Sequence, residues 1–247
     1  MVALALMAEK AGDLDQAIRW MEKVGSFKRK DPNSQIKLIN LYHRAGRLEA
    51  AMVLAVRLKQ EFASNLSVLA AVGGAELRTG AMETAAKTFR RMSNMRPDSA
   101  RDLVRISFLQ LDARDLEGAF NTLTRAVWVE PANMAAQREI VKLEIHMRKF
   151  DAAEKRTEDL RQSFPDSGIG EWLHGDVMMA KNNYVIAISD YQASIEKTGG
   201  NSKLATSIFL ARNKANQGPA AIDGLEAWVK DHPKCPSRKK LIRLNHL

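Results

Sequence analysis

The chain has 247 residues, 38 Lys and Arg against 29 Asp and Glu, and therefore a net charge of +9; 45% of it is hydrophobic and 6% aromatic. A single cysteine excludes an intramolecular disulfide framework and a Cys-based zinc site. No apolar run approaches the ~18 residues of a membrane span, and the hydrophobic and charged fractions are those of an ordinary folded protein rather than a disordered one. Alanine alone contributes 34 residues, and with Leu, Lys, Arg and Glu it favours helix. The alternating β-branched runs of a β protein are missing. Residues 201–247 carry 9 Lys and Arg against 3 Asp and Glu, so most of the basicity sits at the C-terminal end.

The organisation emerges from an internal repeat. Ala17, Ala51, Ala85, Ala119, Ala153, Ala187 and Ala221 stand 34 residues apart without exception. Pro97, Pro131, Pro165 and Pro233 share a second phase, twelve residues later, with Gly199 at the skipped position. Proline cannot sit inside a helix, so this phase marks the end of each unit. Apolar phases at offsets −3, +4 and +7 from the alanine describe one helical face (Leu14, Leu48, Met82, Leu116, Phe150, Tyr184; Met21, Ala55, Phe89, Leu123, Thr157, Tyr191, Leu225; Val24, Leu58, Met92, Ala126, Leu160, Ser194, Trp228). A further phase, thirteen before the alanine, belongs to a separate earlier helix: Leu4, Leu38, Val72, Ile106, Ile140, His174 and Ile208.

In chain order, the pattern predicts a unit over 1–31 lacking its first three positions. Full units follow at 32–65, 66–99, 100–133, 134–167, 168–201 and 202–235, and residues 236–247 form a terminal capping or partial helix. Each unit is helix A, a turn near residues such as Ala45-Gly46-Arg47, Thr79-Gly80 or Ala113-Arg114-Asp115, helix B, and a Pro-marked turn. The small alanine is expected where the two helices approach most closely. The apolar start, Met1–Ala8, has no basic residue ahead of it and no cleavage site after it, so it reads as part of an amphipathic helix rather than a signal peptide. No linker interrupts the units; the expectation is one continuous solenoid stabilised by neighbour contacts. Both ends cut through a unit, which suggests a piece of a longer solenoid.

The pattern resembles the tetratricopeptide (TPR) repeat: the small residue of helix B, the large residue four later and the terminal proline occupy that family's phases. Its small helix A position appears as Gly73 and Gly175, and its helix A tyrosine as Tyr42, while its helix A tryptophan is absent. The implied fold is an all-α solenoid superhelix of tandem helix-turn-helix repeats.

Catalytic chemistry is hard to find. His43, His146, His174, His232 and His246 form no paired ligand spacing. His174 on the apolar phase reads as a satisfied core histidine, Gly73-Gly74 as close packing, Cys235 as incidental, and Glu139, Glu144 and Asp176 as solvated helix surface. The expectation is a protein that is itself no enzyme and has no cofactor or metal site: an interaction scaffold, with an anionic-polysaccharide-binding element or a regulatory segment detached from an enzyme as the alternatives.

The resemblance implies a concave groove lined by the A helices. Carrying its positions over gives Lys37, Asn40, His43 and Arg44; Arg78; Arg101, Arg105 and Phe108; Arg138, Lys142, Ile145 and His146; Trp172 and Asp176; and Lys203, Asn213 and Lys214. The set is mostly basic. Either these are solubilising charges, or they form a groove for an acidic or carboxylate-bearing protein or peptide, since Arg forks match carboxylates. The family's carboxylate clamp is not expected: Asn40 fits it, but its partner lysine position holds Ile36. Trp172 is either an interface anchor or a packing residue between A helices. Trp228 is expected to be buried, and Trp20 and Trp128 to fill seams between repeats. The basic stretch from Lys234 to Arg243 has three readings: a final helix covering the last helix B, the A helix of a further unit, or a contact with anionic lipid or nucleic acid. The rest of the chain is too charge-balanced for nucleic acid to be the main partner.

Within TPR proteins, GEWLHGDVMMAKNNYVIAISDYQAS (170–194), LARNKANQGPAAIDGLEAWVKDHPKCPS (210–237) and LALMAEKAGDLDQAIRWMEK (4–23) resemble repeats of the PEP-CTERM system TPR-repeat lipoprotein family. The resemblance implies an envelope protein (periplasmic or outer-membrane lipoprotein) of Gram-negative bacteria, associated with exosortase protein sorting and exopolysaccharide production. Its partner would then be a protein or peptide, or an anionic polysaccharide; that family's members are longer and carry a lipoprotein signal that this chain lacks.

Overall fold

The computed structural model describes residues 1–27, 31–95 and 97–233. The basic stretch from Lys234 to Arg243, with Cys235, and the expected helix over 236–247 lie outside the described residues. The described residues form fourteen α-helices and no strand, and none of these helices is long and apolar enough to cross a membrane.

The A helices are α1 (Val2–Lys10), α3 (Pro32–Arg44), α5 (Leu66–Arg78), α7 (Ala100–Asp112), α9 (Met134–His146), α11 (Ile169–Ala180) and α13 (Ser202–Lys214). The B helices are α2 (Leu14–Phe27), α4 (Leu48–Glu61), α6 (Met82–Asn94), α8 (Leu116–Val129), α10 (Phe150–Ser163), α12 (Tyr184–Thr198) and α14 (Gly218–Asp231). Every B helix begins three residues before its repeat alanine, and those alanines are all 1% exposed or less. Each is buried because a β-carbon is all the space allows where the B helix crosses its neighbours.

Two backbone devices recur with the same period. The A-to-B turn places one residue in the left-handed region: Gly12, Gly46, Gly80, Arg114, Arg148, Asn182 and Asn216, with φ between 57° and 81°. The next residue's amide then reaches back five residues, as in Arg47 N to Tyr42 O and Asp115 N to Gln110 O, both 2.8 Å. That bond closes the last turn of helix A. At the B-to-A turn a short polar side chain caps the next helix: Asp31 bonds Asn33 N, Asn65 bonds Val68 N, Ser99 bonds Asp102 N, Asn133 bonds Ala136 N, and Asn201 bonds Lys203 N and Leu204 N. In the remaining turn Gly168, at φ 63°, is the cap residue, and Ser167 Oγ accepts from Ile169 N. Such caps contribute about 1 kcal/mol each.

The chain divides into two compact units, Met1–Ala136 and Gln137–Leu247. Each is an all-α solenoid of stacked helix pairs. The core holds the +4 and +7 phases, with Phe89, Met92, Leu123 and Ala126 fully buried in the first unit and Tyr191, Ser194 and Leu225 at 2% or less in the second. The −3 phase lies at the core margin instead: Leu48 is 37% and Met82 40% exposed, because the first turn of helix B still overhangs the turn. Leu4 of the early phase is also exposed, as the first pair has no preceding pair described.

Several expectations change. Glu144 is not solvated surface: it is buried and takes both the Nε and Nη2 of Arg156. Asp176 is half-buried. Trp128 fills no seam; it is 83% exposed near the end of α8, where the helix face has turned away from its neighbours. Trp20 packs half-buried against the first core cluster. Trp228 is half-buried rather than buried, stacked on His232 with ring centroids 4.2 Å apart. His174 is half-buried with Nδ1 2.7 Å from Asp190 Oδ2.

Candidate functional site

The expected groove residues fall into separate groups. In the first unit, Lys37, Asn40 and Arg44 stand three to four residues apart on α3, hence on one face. They line a cavity of about 230 Å³ together with Val2, Leu6 and Met21. Its lining combines apolar side chains with Lys37, Asn40, Arg44 and Glu9. The rim is closed on one side by an ion pair of Arg44 with Glu9 of α1. Arg78, the last residue of α5, lies 3.3 Å from His43 Nδ1 of α3. Burial, and then the Arg78 charge, hold the His43 imidazole below the ordinary histidine range.

Arg101, Arg105 and Phe108 are exposed along α7. Arg105 approaches Asp102 only to 3.9 Å, so its guanidinium faces solvent.

In the second unit, α9 and α11 bring Arg138, Lys142, Trp172 and Asp176 together. The Arg138 guanidinium carbon lies over the Trp172 ring, 5.9 Å from its centroid, within cation–π range. Lys142 Nζ donates to Glu139 Oε1 at 2.8 Å, and Arg138 Nε stands 3.7 Å from the same oxygen. Behind them, Tyr191 of α12 donates its hydroxyl proton to Asp176 Oδ1 at 2.8 Å. Burial pushes the Asp176 carboxyl above the usual carboxylate range; the Tyr191 hydrogen bond and the charges of Lys142 and Arg138 oppose that. Burial and the adjacent carboxylate push the Tyr191 hydroxyl up as well. The Trp172 ring is thus flanked by Arg138, with Lys142 and the Tyr191-bonded Asp176 carboxyl nearby.

Lys203 and Lys214 sit exposed near opposite ends of α13. Eleven residues at 1.5 Å rise put them about 16 Å apart, so they form no single site. Among the described residues no group of three His, Cys, Asp or Glu side chains could hold a metal ion.

Sequence reasoning missed Glu9, Glu139 and Tyr191. Glu9 had a signal: it is an acid 35 residues before Arg44, one repeat period plus one, where an adjacent A helix brings its side chain alongside. Tyr191 had been assigned to the core alone, although a buried tyrosine hydroxyl requires a partner.

No protein-family model matches the chain, and no curated protein matches it. Solved structures do. A tetratricopeptide repeat protein from Parabacteroides merdae aligns over 100% of this chain and 97% of its own, at 14% identity and a TM-score of 0.55. PilF of Pseudomonas aeruginosa aligns over 87% of this chain and 98% of its own, at 15% identity and a TM-score of 0.48. YrrB, described as a TPR protein with an unusual peptide-binding site, aligns over 75% of this chain and 95% of its own, at 15% identity and a TM-score of 0.48. What this chain shares with the Parabacteroides protein is the tetratricopeptide-repeat fold.

Proposed function

We propose that the chain is a non-enzymatic scaffold that binds a protein or peptide, acidic in character, on its A-helix surfaces. The observation that carries this reading is the Arg138–Trp172 pair at 5.9 Å with Lys142 and Asp176 beside it. Aromatic and arginine side chains are the residues most often found as energetic anchors of interfaces. The basic residues on the other A helices, Lys37, Arg44, Arg101, Arg105, Lys203 and Lys214, extend the same charge preference. The continuous run of repeats over 1–247 is part of this proposal. So is a place in an envelope system for exosortase protein sorting and exopolysaccharide production, supported by the sequence resemblance of 170–194 and 210–237.

The test is selection of peptides from a random display library against the intact chain, followed by fluorescence polarisation at two salt concentrations. The expected ligands are enriched in Asp and Glu and bind more weakly at higher salt. Trp172→Ala and Arg138→Ala each weaken binding tenfold or more, the scale of an interface anchor. Equal affinity in wild type and both variants would remove the platform from the proposal; selection of basic or neutral peptides would remove the acidic partner.

A further inference from the structure

The seams of the first unit can be compared position by position, because they share one period. In the seam of α4, α5 and α6, the Lys59 ammonium donates to Glu76 Oε1 at 2.9 Å and to Thr88 Oγ1 at 2.6 Å. Thr88 Oγ1 in turn donates to Glu76 Oε2 at 2.7 Å. Glu76 and Thr88 are 4% and 1% exposed, so this is a closed, satisfied polar triad.

Thirty-four residues on, the same three positions hold Ser93, Gln110 and Thr122. The lysine chain has become a hydroxymethyl group, and the carboxylate an amide. The two exchanges cancel in charge but not in volume or hydrogen bonding. Ser93 and Thr122 bond each other at 2.9 Å. Gln110 is 1% exposed, and its Oε1 has no hydrogen-bond partner among the described residues. Where the lysine chain would lie, a cavity of about 180 Å³ remains, lined by Ser93, Gln110 and Thr122 with Arg90, Asn94 and Asn121. Buried acceptors are rarely left unpaired in native cores, so this one calls for an occupant with a donor.

The surroundings select the occupant's charge. The Arg90 guanidinium is held by Asp115 through two bonds of 2.6 Å. Arg125 Nη1 donates to the Ser93 carbonyl at 2.6 Å and to Ser93 Oγ at 3.1 Å, and Glu117 stands at the cavity wall. The lining itself holds one cation, Arg90, and one carboxylate, Glu117, and so carries no net charge that favours an ion. Asn94 and Asn121, both exposed, add amide donors and acceptors to the lining. A hydroxyl group both donates and accepts, so neighbouring hydroxyls on one carbon skeleton match that combination.

The geometry points to a binding site for a small neutral polyol, a single sugar residue in size, in the seam between α6 and α8. The site includes Gln110 of α7 but none of the A-helix side chains named for the scaffold, and it does not depend on the scaffold reading.

The experiment is a titration of the intact ¹⁵N-labelled protein with D-glucose, D-galactose, D-mannose and glycerol, and with n-butylammonium as a mimic of the lysine chain. Saturable shifts of the Gln110, Asn94 and Asn121 side-chain amides by at least one of the four polyols are expected, with n-butylammonium inert. The double variant Ser93→Lys/Gln110→Glu copies the Lys59–Glu76 pair and fills the cavity; it should bind the polyol at least tenfold more weakly with an unchanged helical spectrum. Gln110→Met, close in size and only a weak acceptor, gives a second arm with the same expected loss should the double variant not fold. Absence of saturation by all four polyols, stronger binding of n-butylammonium, or unchanged affinity in Gln110→Met overturns the proposal. So does a crystal structure grown with the polyol in which the cavity holds ordered water only.

Discussion

Phe89 occupies the space that a side chain at Gly73 would need: a methyl group on Gly73 would stand 2.2 Å from Phe89 Cε1. The same relationship recurs between Gly175 and Tyr191, at 2.5 Å. In other repeats these two positions read Ile39 and Ala55, Ser107 and Leu123, or Val141 and Thr157. In these pairs a large residue on one helix is matched by a smaller one on the other, conserving volume rather than identity; the last repeat departs from this, with Phe209 and Leu225 both large and only 6% and 2% exposed.

Gly73→Ala therefore sets two effects against each other. Alanine gains about 1 kcal/mol of helix propensity, while overpacking a rigid ring costs about 1–3 kcal/mol. The ring cannot swing aside in a filled core, so the expected net is a loss of about 1 kcal/mol, measured as a lower urea midpoint. In Gly73→Ala/Phe89→Leu the combined loss should be smaller than the sum of the single losses. A higher midpoint for Gly73→Ala alone would contradict the close-approach account.

Arg114 adopts φ 58° in a turn where three other repeats use glycine. A left-handed conformation costs an L residue about 1–2 kcal/mol, and glycine's extra chain entropy returns about 0.5–1 kcal/mol of that. Arg114 is exposed, so Arg114→Gly loses little else and should stabilise the chain by about 0.5–1 kcal/mol. Gly80→Ala, at φ 80°, should destabilise it by about 1 kcal/mol. Thermal midpoints of the two variants on either side of wild type would bear this out.

Glu144 is 1% exposed and relies on Arg156, whose side chain is 25% exposed. Removing one partner of a buried pair costs about 3–5 kcal/mol, and less when one partner reaches water. Arg156→Ala should thus cost about 2–3 kcal/mol, whereas Arg156→Met/Glu144→Leu should fall near wild type because no orphan charge remains. A double-mutant cycle in urea distinguishes the two; a double variant as unstable as Arg156→Ala would show that packing, not charge, holds this seam.

Asp176 and Asp115 should respond to pH in opposite senses. Burial raises the Asp176 carboxyl, so the folded state holds a proton that the unfolded state has released. Stability then falls as pH rises from the ordinary carboxylate value through the raised one. The Arg90 hydrogen bonds lower the Asp115 carboxyl, so its contribution is present above the ordinary value and disappears as pH falls through the lowered one. Asp176→Asn should gain stability over wild type as pH rises above the ordinary carboxylate value, and match it at lower pH, where the carboxyl is already neutral. Asp115→Asn should lose most at neutral pH and converge with wild type in acid. Parallel pH–stability curves for wild type and Asp176→Asn would refute the burial account.

The architecture was legible from spacing. Every repeat makes the same helix-to-helix contact, so every repeat needs a small residue at that point, and seven alanines in one phase reveal it without knowledge of partners. Two further phases were legible and were overlooked: the left-handed residue of the A-to-B turn, hidden because Arg114, Arg148, Asn182 and Asn216 replace glycine, and the polar cap at Asp31, Asn65, Ser99, Asn133, Ser167 and Asn201. Both are local backbone requirements, which a single segment can declare.

The candidate site was legible as a set of positions and not as a set of groups. Repeat phase placed Lys37, Asn40, Arg44, Arg138, Lys142, Trp172 and Asp176 on A helices, since a helical face follows from residue number alone. It could not show that Arg44 is tied to Glu9, that Arg138 reaches over Trp172, or that Gln110 lacks the cation its counterpart Glu76 receives. Those depend on rotamers and on which of several long side chains arrives first at a shared acceptor. Periodicity determines what the backbone repeats; only packing in three dimensions decides where the repeated positions, filled by different side chains, leave a charge paired, a ring exposed or a cavity unfilled.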